Sequence, residues 1–349
     1  MSVYQIDPIQ DGRWVEFLGT HPRACVFDCP DWLEALRRTY GYDPFVLTTS
    51  PPGAELTNGL PVCRVKSWLS GRRLVSLPFS DHCEPLVDRP EELYEMLSFL
   101  TQQVKRGEWK YFEIRPCKFA ARSDGHSSGV QATRTYYFHK LDLSPSLDQL
   151  FYRFHKSCVQ RKIRRSEREG LAYEEGTSES QLAKFYHLLR LTRRRHGVPP
   201  HPLAWFRNLI DCLGKKVKIH VASKDGRPIS SILTLSFKKT IVYKYGCSDA
   251  RYHNLGGMPF LFWRTIQEAK KMAVEEFDLG RSDPENSGLV TFKEHLGASR
   301  SKLTYYRYPA SRVGLVADDW KLQTAKRVLA YMPDPVLTVV GRLLYKHSG

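Results

Sequence analysis

The run VKIHVASKDGRPISSILTLSFKKTIVYKYGC, from Val217 to Cys247, most constrains what this chain can fold into. Three stretches rich in β-branched and aromatic residues are separated by KDGR and KKT, segments that leave room only for tight turns. Such spacing joins neighbouring strands into an antiparallel meander. The continuation is equally restrictive. A loop with Gly256 and Gly257 follows, a helical pattern begins near Met258, and EEFDLGR reads as a buried strand. LVTFKEHLGA is then a short helix and SKLTYYRYP a last strand.

A chain of 349 residues is too long for one ordinary core, so two domains are expected. Ahead of the meander, ESQLAKFYHLLRLTRRRHG (179–197) and HPLAWFRNLIDCLG (201–214) are amphipathic helices ending at Gly197 and Gly214. SPSLDQLFYRFHKSC begins another, with Leu147, Leu150, Phe151 and Phe154 on one stripe, and the basic run after it forms a separate helix ending at Gly170. The first half reads as a similar but eroded succession. DWLEALRRTYG (31–41) is a helix, and strands follow at DPFVLTTS, GLPVCRVKS and RRLVSLPFSD. The helix over 90–107 has Pro90 at its start, Glu91 and Glu92 in its first turn, and Lys105, Arg106 and Gly107 at its end. WKYFEIRP is a strand, 121–129 a polar loop, and TYYFHKLDLS a strand. The expected class is α+β, with domains at 1–143 and 144–310 and a C-terminal segment, 311–349, packing back on the first domain. The halves share no clear sequence repeat, so their kinship rests on element order.

Composition narrows the function. With 42% hydrophobic and 26% charged residues the chain reads as soluble and globular. It has no run of eighteen apolar residues to span a membrane and no secretory signal pattern. The eight Cys are scattered, and Cys25 and Cys29 lack a matching second pair, so free thiols are expected rather than a zinc site or a disulfide framework. The net charge of +16 points to anionic partners: nucleic acid, phosphorylated cofactors or the anionic face of a membrane. Residues 153–168 carry seven Lys or Arg against one Glu, and RLTRRRHG follows at 190–197. These are either solvated helix faces or one shared anion site, with Arg161, Arg164 and Arg165 at its centre.

The candidate chemistry lies in the second half. Gly256 and Gly257 let backbone N–H groups approach a ligand at a helix start, and Arg251 can add a charge. Tyr243 and Tyr245 alternate on the preceding strand and are expected on one face. Asp278 on an apolar strand needs a partner, and Arg281 is near enough in sequence to be it. Lys293, between the core anchors Phe292 and Leu296, is either a fixed ammonium aimed at developing negative charge or a surface Lys paired with Glu294. His82, beside Asp81, is a proton acceptor or a structural turn residue. The tail KRVLAYMPDPVLTVVGRLLYKHSG is an apolar packing segment or an amphipathic membrane-surface element.

SCVQRKIRRSEREGL, FYHLLRLTRRRHGVPPHPLAWFRNL, VYKYGCSDARYHNLGGMPFLFWRTIQEA and FDLGRSDPENSGLVTFKEHLGA resemble the FemAB-like family of tandem-GNAT proteins. The family includes aminoacyltransferases of peptidoglycan bridges and exopolysaccharide-associated bacterial relatives. The likeness is strong over 145–310 and weaker over 1–143. Its most specific part, D-x-G-R followed by F-K-x-x-x-G, stands here as Asp278, Gly280, Arg281, Phe292, Lys293 and Gly297. The resemblance implies two tandem GNAT-like domains, the first degenerate, and N-acyl transfer from an activated ester or thioester to an amine. It implies Lys293 as the catalytic residue, and the residues' own chemistry adds Arg281, Asp278, Tyr245, Arg251, Gly256, Gly257, Arg161, Arg164 and Arg165 as substrate contacts. The co-substrate is acyl-CoA, acyl carrier protein or aminoacyl-tRNA, with no permanently bound cofactor and no metal. No long helical-hairpin insertion is visible, which leaves tRNA use open beside a thioester donor. The implied acceptor is a cell-envelope, polysaccharide or lipid precursor, lipid-linked forms included, met in the cytoplasm or at the inner membrane leaflet. A reading from another class is a non-catalytic basic protein that binds nucleic acid or polysaccharide.

Overall fold

The structure, a computed structural model, describes residues 2–68, 71–118, 129–309 and 332–348. Most of the loop expected at 121–129 and the segment 311–331 lie outside them. The chain divides into two compact units, one holding residues 2–136, 302–309 and 342–348, the other 137–301 and 332–341.

The first unit runs β1 (Tyr4–Ile6), α1 (Gly12–Thr20), α2 (Pro30–Tyr40), β2 (Asp43–Thr48), β3 (Leu60–Ser67), β4 (Gly71–Val75), α3 (Pro90–Lys105) and β5 (Tyr111–Ile114). Strands β1 to β4 pair antiparallel in sequence order, and β4 pairs β5 in parallel through Arg73–Tyr111, Leu74–Phe112 and Val75–Glu113. The end of β12 (Ser299–Tyr308) closes the order by pairing β5 antiparallel. Glu113 is buried there between Arg115 at 3.0 Å and Arg307 at 2.9 Å. Those guanidinium charges hold its carboxyl below the ordinary range, against the upward push of burial. His82 is buried in this unit, edge-on to Phe27 and beside Asp28, whose carboxyl burial pushes up to about 6.

The second unit takes the end of β6 (Gln131–Asp142), then α4 (Leu147–Arg153), a π-helical turn (Lys156–Gln160), α5 (Arg161–Arg168) and β7 (Ala172–Gly176). It continues with α6 (Glu179–Arg195), α7 (Leu203–Leu213), β8 (Val217–Lys224), β9 (Arg227–Phe237), β10 (Thr240–Ser248), α8 (Gly257–Lys271), β11 (Glu276–Ser282) and α9 (Ser287–His295). Strands β7 to β10 pair antiparallel in order, β10 pairs β11 in parallel, and β11 pairs β6 antiparallel. The two units thus share one strand order. In each the single parallel step needs a crossover, supplied by α3 in the first and α8 in the second. The duplication that sequence identity hides is plain in the hydrogen bonding.

Local rules explain the elements. Ser178 and Gln181 form a capping box at the start of α6, and Arg193, Arg194 and Arg195 occupy its last turn. Helix α1, capped by Asp11, and the short strand β7 are additions to the sequence reading. AYEEG lacks the apolar alternation that marks a strand, and it forms because Tyr173 and its neighbours pair along β8. Helix α8 packs Phe260, Phe262 and Ile266 into the second unit's core with Phe154, Ile163 and Phe277. A final helix, α10 (Asp334–Ser348), buries Leu337, and Tyr42 Oη donates to Tyr345 O at 2.8 Å.

The entries to the crossover helices differ. The segment 76–89 before α3 contains no glycine, whereas α8 begins at Gly256–Gly257. Gly256 adopts φ +76°, and a Cβ on it would lie 2.6 Å from the carbonyl oxygen of Lys162 on α5. Ser166 Oγ completes the contact by donating to Leu255 O at 2.7 Å. The glycine lets α5 press against the start of α8. Gly256→Ala should therefore lower stability by about 1–3 kcal/mol through left-handed strain and loss of that approach, read from urea melts. Gly53→Ala, with φ +82° but open space around it, is the control that carries strain alone.

Candidate active site

Strands β10 and β11 are paired only through Thr240–Glu276, Ile241–Phe277 and Val242–Asp278. Both continue, β10 to Ser248 and β11 to Ser282, without further pairing to each other. Each carries a register shift where the pairing stops: β10 between Tyr243 and Tyr245 against β9, and β11 between Asp278 and Gly280 against β6. A bulge bends its strand and adds twist. Two bulges at one level separate parallel strands into a wedge with backbone groups along its edges.

The β11 bulge is built by the residues that stood out in sequence. Asp278 is buried, and its Oδ1 accepts the N–H of Gly280 at 2.7 Å. Gly280 sits at φ +70°, a left-handed conformation that a side chain resists. Lys293 is only 2% exposed, and its Nζ donates to the carbonyls of Gly280 and Arg281, both at 3.0 Å. Asx turn, left-handed glycine and buried ammonium make one assembly. Lys293 is therefore no surface residue, and its neighbour Glu294 pairs with Arg300 at 3.0 Å instead. Arg281 is half-buried on the strand end immediately outside the bulge.

His139 stands opposite Gly280 on β6 and is fully buried, with no hydrogen bond to either ring nitrogen. Burial first, and the nearby Lys293 charge second, lower its pKa to about 4. Ser282, two residues beyond Gly280, also has a buried hydroxyl without a partner. Sequence reading missed both. A lone His in TYYFHKLDLS gives no signal until pairing sets it beside the D-x-G-R turn.

Other expected site residues have contacts of their own. The bulge sends Tyr243 against Phe262 of α8, whereas Tyr245 packs on Phe206 and accepts the Trp205 indole N–H at 2.9 Å. The two tyrosines thus face opposite sides of the sheet, because the extra residue reverses the alternation. Arg251 is exposed and paired with Asp249 at 2.6 Å, on the loop before α8. Gly257 is filled by the protein too, since a Cβ there would meet Ser230 Oγ at 2.6 Å. On α5, Arg161, Arg165 and Arg168 line an open hollow of about 650 Å³ with Glu169. Arg164 turns to another face, its guanidinium 5.6 Å from the Phe151 ring centre, beside a second hollow of about 380 Å³ floored by Phe151 and Trp263.

Residues 153–293 match the family model of an acetyltransferase (GNAT) domain. The UDP-N-acetylmuramoylpentapeptide-lysine N(6)-alanyltransferase of Weissella viridescens is 27% identical over 142 residues, 39% of this chain. That match spans 41% of the relative's length. The crystal structure of FemX superposes with a TM-score of 0.69 at 15% identity, over 93% of this chain and all of that one. A tandem GNAT protein from the clavulanic acid biosynthesis pathway gives 0.53 at 12% identity, over 88% and 98%. One GNAT strand order laid down twice, with the wedge in its second copy, defines a tandem-GNAT protein whose first domain is degenerate. Within that class, the chain is similar to Fem-type proteins, the alanyltransferase in sequence and FemX in fold.

The buried histidines predict an acid limit. Burial holds His139 at about 4 and His220 at about 3, below the ordinary 6.5. The unfolded chain therefore binds protons first, and stability falls as pH drops from 6.5 towards 4. Each group contributes up to about 1.4 kcal/mol per pH unit in that window. Urea midpoints between pH 7 and 4.5 should show this slope, and His139→Gln should flatten it while leaving the His220 share.

Proposed function

We propose that the protein is an N-acyltransferase that moves an acyl or aminoacyl group from an activated ester or thioester to an amine. The observation that carries this reading is the wedge between β10 and β11, closed at its inner end by the bulge that Lys293 holds. An extended donor arm can hydrogen-bond along unpaired strand edges as an added strand does. The amine nitrogen bonds to the donor carbonyl carbon, charge gathers on the carbonyl oxygen, and the C–O or C–S bond then breaks. The proton shed by the amine leaves with the departing hydroxyl or thiol. Lys293 supplies a fixed positive charge for that oxygen, and its burial keeps water from screening it. The donor is acyl-CoA, acyl carrier protein or aminoacyl-tRNA, and the Arg161–Arg165–Arg168 row suits its phosphates.

The acceptor we favour is an amine on a cell-envelope precursor, in keeping with the alanyltransferase likeness. Helix α10 supports contact with a lipid-linked form at the inner leaflet. It exposes Val336, Val339 and Leu343 beside Arg342 and Lys346, the pattern of a membrane-surface helix. Among the described residues no helix is long and apolar enough to cross a membrane.

The test is the purified chain with each donor class and a panel of amines, read by mass spectrometry. An acylated amine is expected; steeply salt-dependent nucleic-acid binding without product from any donor would favour a binding protein instead. Lys293→Met should cut kcat by about 10²–10³, roughly 3–4 kcal/mol. It should also lower stability by about 1–3 kcal/mol, since two buried carbonyls lose their donor. Near-normal kcat in a folded variant would end the catalytic assignment. Charge removal at Arg161 and Arg165 should raise KM for the donor and flatten its salt dependence, whereas Arg164→Ala should change it little.

A further inference from the structure

Among the described residues, one group of metal-ligating side chains converges: His155, Cys158 and His295, whose ligand atoms all lie within 4.8 Å of one another. We propose that these three residues form a site for a borderline transition-metal dication of the zinc type, with a fourth position open to water or an anionic ligand. The site goes beyond acyl transfer and does not depend on it.

The elements are already joined. His155 precedes the π-helical turn, and its backbone N–H donates to the carbonyl of His295, the last residue of α9, at 2.9 Å. The rings lie 4.1 Å apart at a 32° tilt, and HKSC places Cys158 one turn after His155. Two imidazoles and a thiol suit zinc better than a hard cation, and three protein ligands leave a coordination place vacant. With metal–ligand bonds of about 2.0–2.3 Å, the atoms need to close by roughly an ångström. All three side chains are partly or fully exposed, so rotation can supply it. Existing contacts compete weakly. His155 Nδ1 accepts from Cys158 N at 3.2 Å and meets Ser157 Oγ at 3.3 Å, and Cys158 Sγ lies 3.8 Å from that hydroxyl. His295 has no hydrogen bond to its ring among the described residues, so nothing there competes for its ring nitrogens. No motif marks the site, because 137 positions separate Cys158 from His295. A metal there would tie the end of α9, two residues past Lys293, to the turn that launches α5.

The full-length chain, stripped with chelator and reloaded, provides the test. One zinc per chain is expected by elemental analysis. Cobalt substitution should give intense tetrahedral visible bands and a thiolate-to-metal charge-transfer band. Cys158→Ser and His295→Gln should each lose tenfold or more in zinc affinity, while Cys212→Ser keeps it. Zinc should also raise the melting temperature of the parent chain but not of either ligand variant. Less than about a tenth of a zinc per chain, cobalt spectra without the thiolate band, or full zinc affinity in a folded ligand variant would each overturn the site. If Cys158→Ser does not fold, His295→Gln and the cobalt spectrum decide.

Discussion

A buried ammonium holding two backbone carbonyls is the contact on which the kinked end of β11 depends. Lys293 reaches from α9 to Gly280 O and Arg281 O, and it does so in a place almost closed to water. Burying a charge is costly unless its hydrogen bonds are met. Here they are met by peptide groups that the bulge frees from the ladder. Asp278 takes the Gly280 N–H, and Gly280 turns left-handed, so its carbonyl can point at the lysine rather than along the sheet. Helix α9 keeps its aim because Phe292 and Leu296 are packed in the core on either side of Lys293. Each part presupposes the others, and together they let β11 leave β10 after three paired residues.

The first unit shows the same sheet order without this device. At the matching end of β5, Glu113 is fixed by Arg115 and Arg307. That cluster pins a strand end, whereas Asp278, Gly280 and Lys293 hold a bulge in one. The glycine-free segment before α3 makes a second contrast with Gly256–Gly257. Removing one partner from the buried Glu113 cluster would leave an uncompensated charge, so the first unit is committed to structure there. The duplicated fold thus has one copy kinked at this strand end and one pinned.

Much of this was legible beforehand, for physical reasons particular to each element. The meander was legible because KDGR and KKT admit only tight turns, and α6 because its capping box, apolar stripe and basic last turn agree. Of the site, D-x-G-R and the lysine were legible as motifs, and the carboxylate's need for a partner was correctly sensed. Asp278 takes a backbone N–H two residues on, a local turn that side-chain pairing logic overlooks. The Tyr243–Tyr245 alternation failed at a bulge, which leaves no mark in a two-residue period. The glycines at 256 and 257 also have a packing reason that the sequence does not show, since Lys162 O and Ser230 Oγ lie where a Cβ would sit. His139, Ser282 and the His155–Cys158–His295 group became visible only through pairing between distant segments.

The choice of lysine at 293 follows from the shape of the bulge. Two carbonyls from consecutive residues point at one spot, and an ammonium can donate to both from a single nitrogen. A guanidinium spreads its donors over a rigid plane and is bulkier, so it suits a carboxylate fork better than two converging carbonyls. A methionine would fill the volume and leave both oxygens bare in a buried place. The ammonium also brings charge, which His139 accommodates by staying neutral opposite Gly280. The residue that best satisfies the kinked backbone is thus also the one that places a positive charge at the bottom of the wedge. The backbone geometry and the proposed acyl transfer ask for the same side chain at this position.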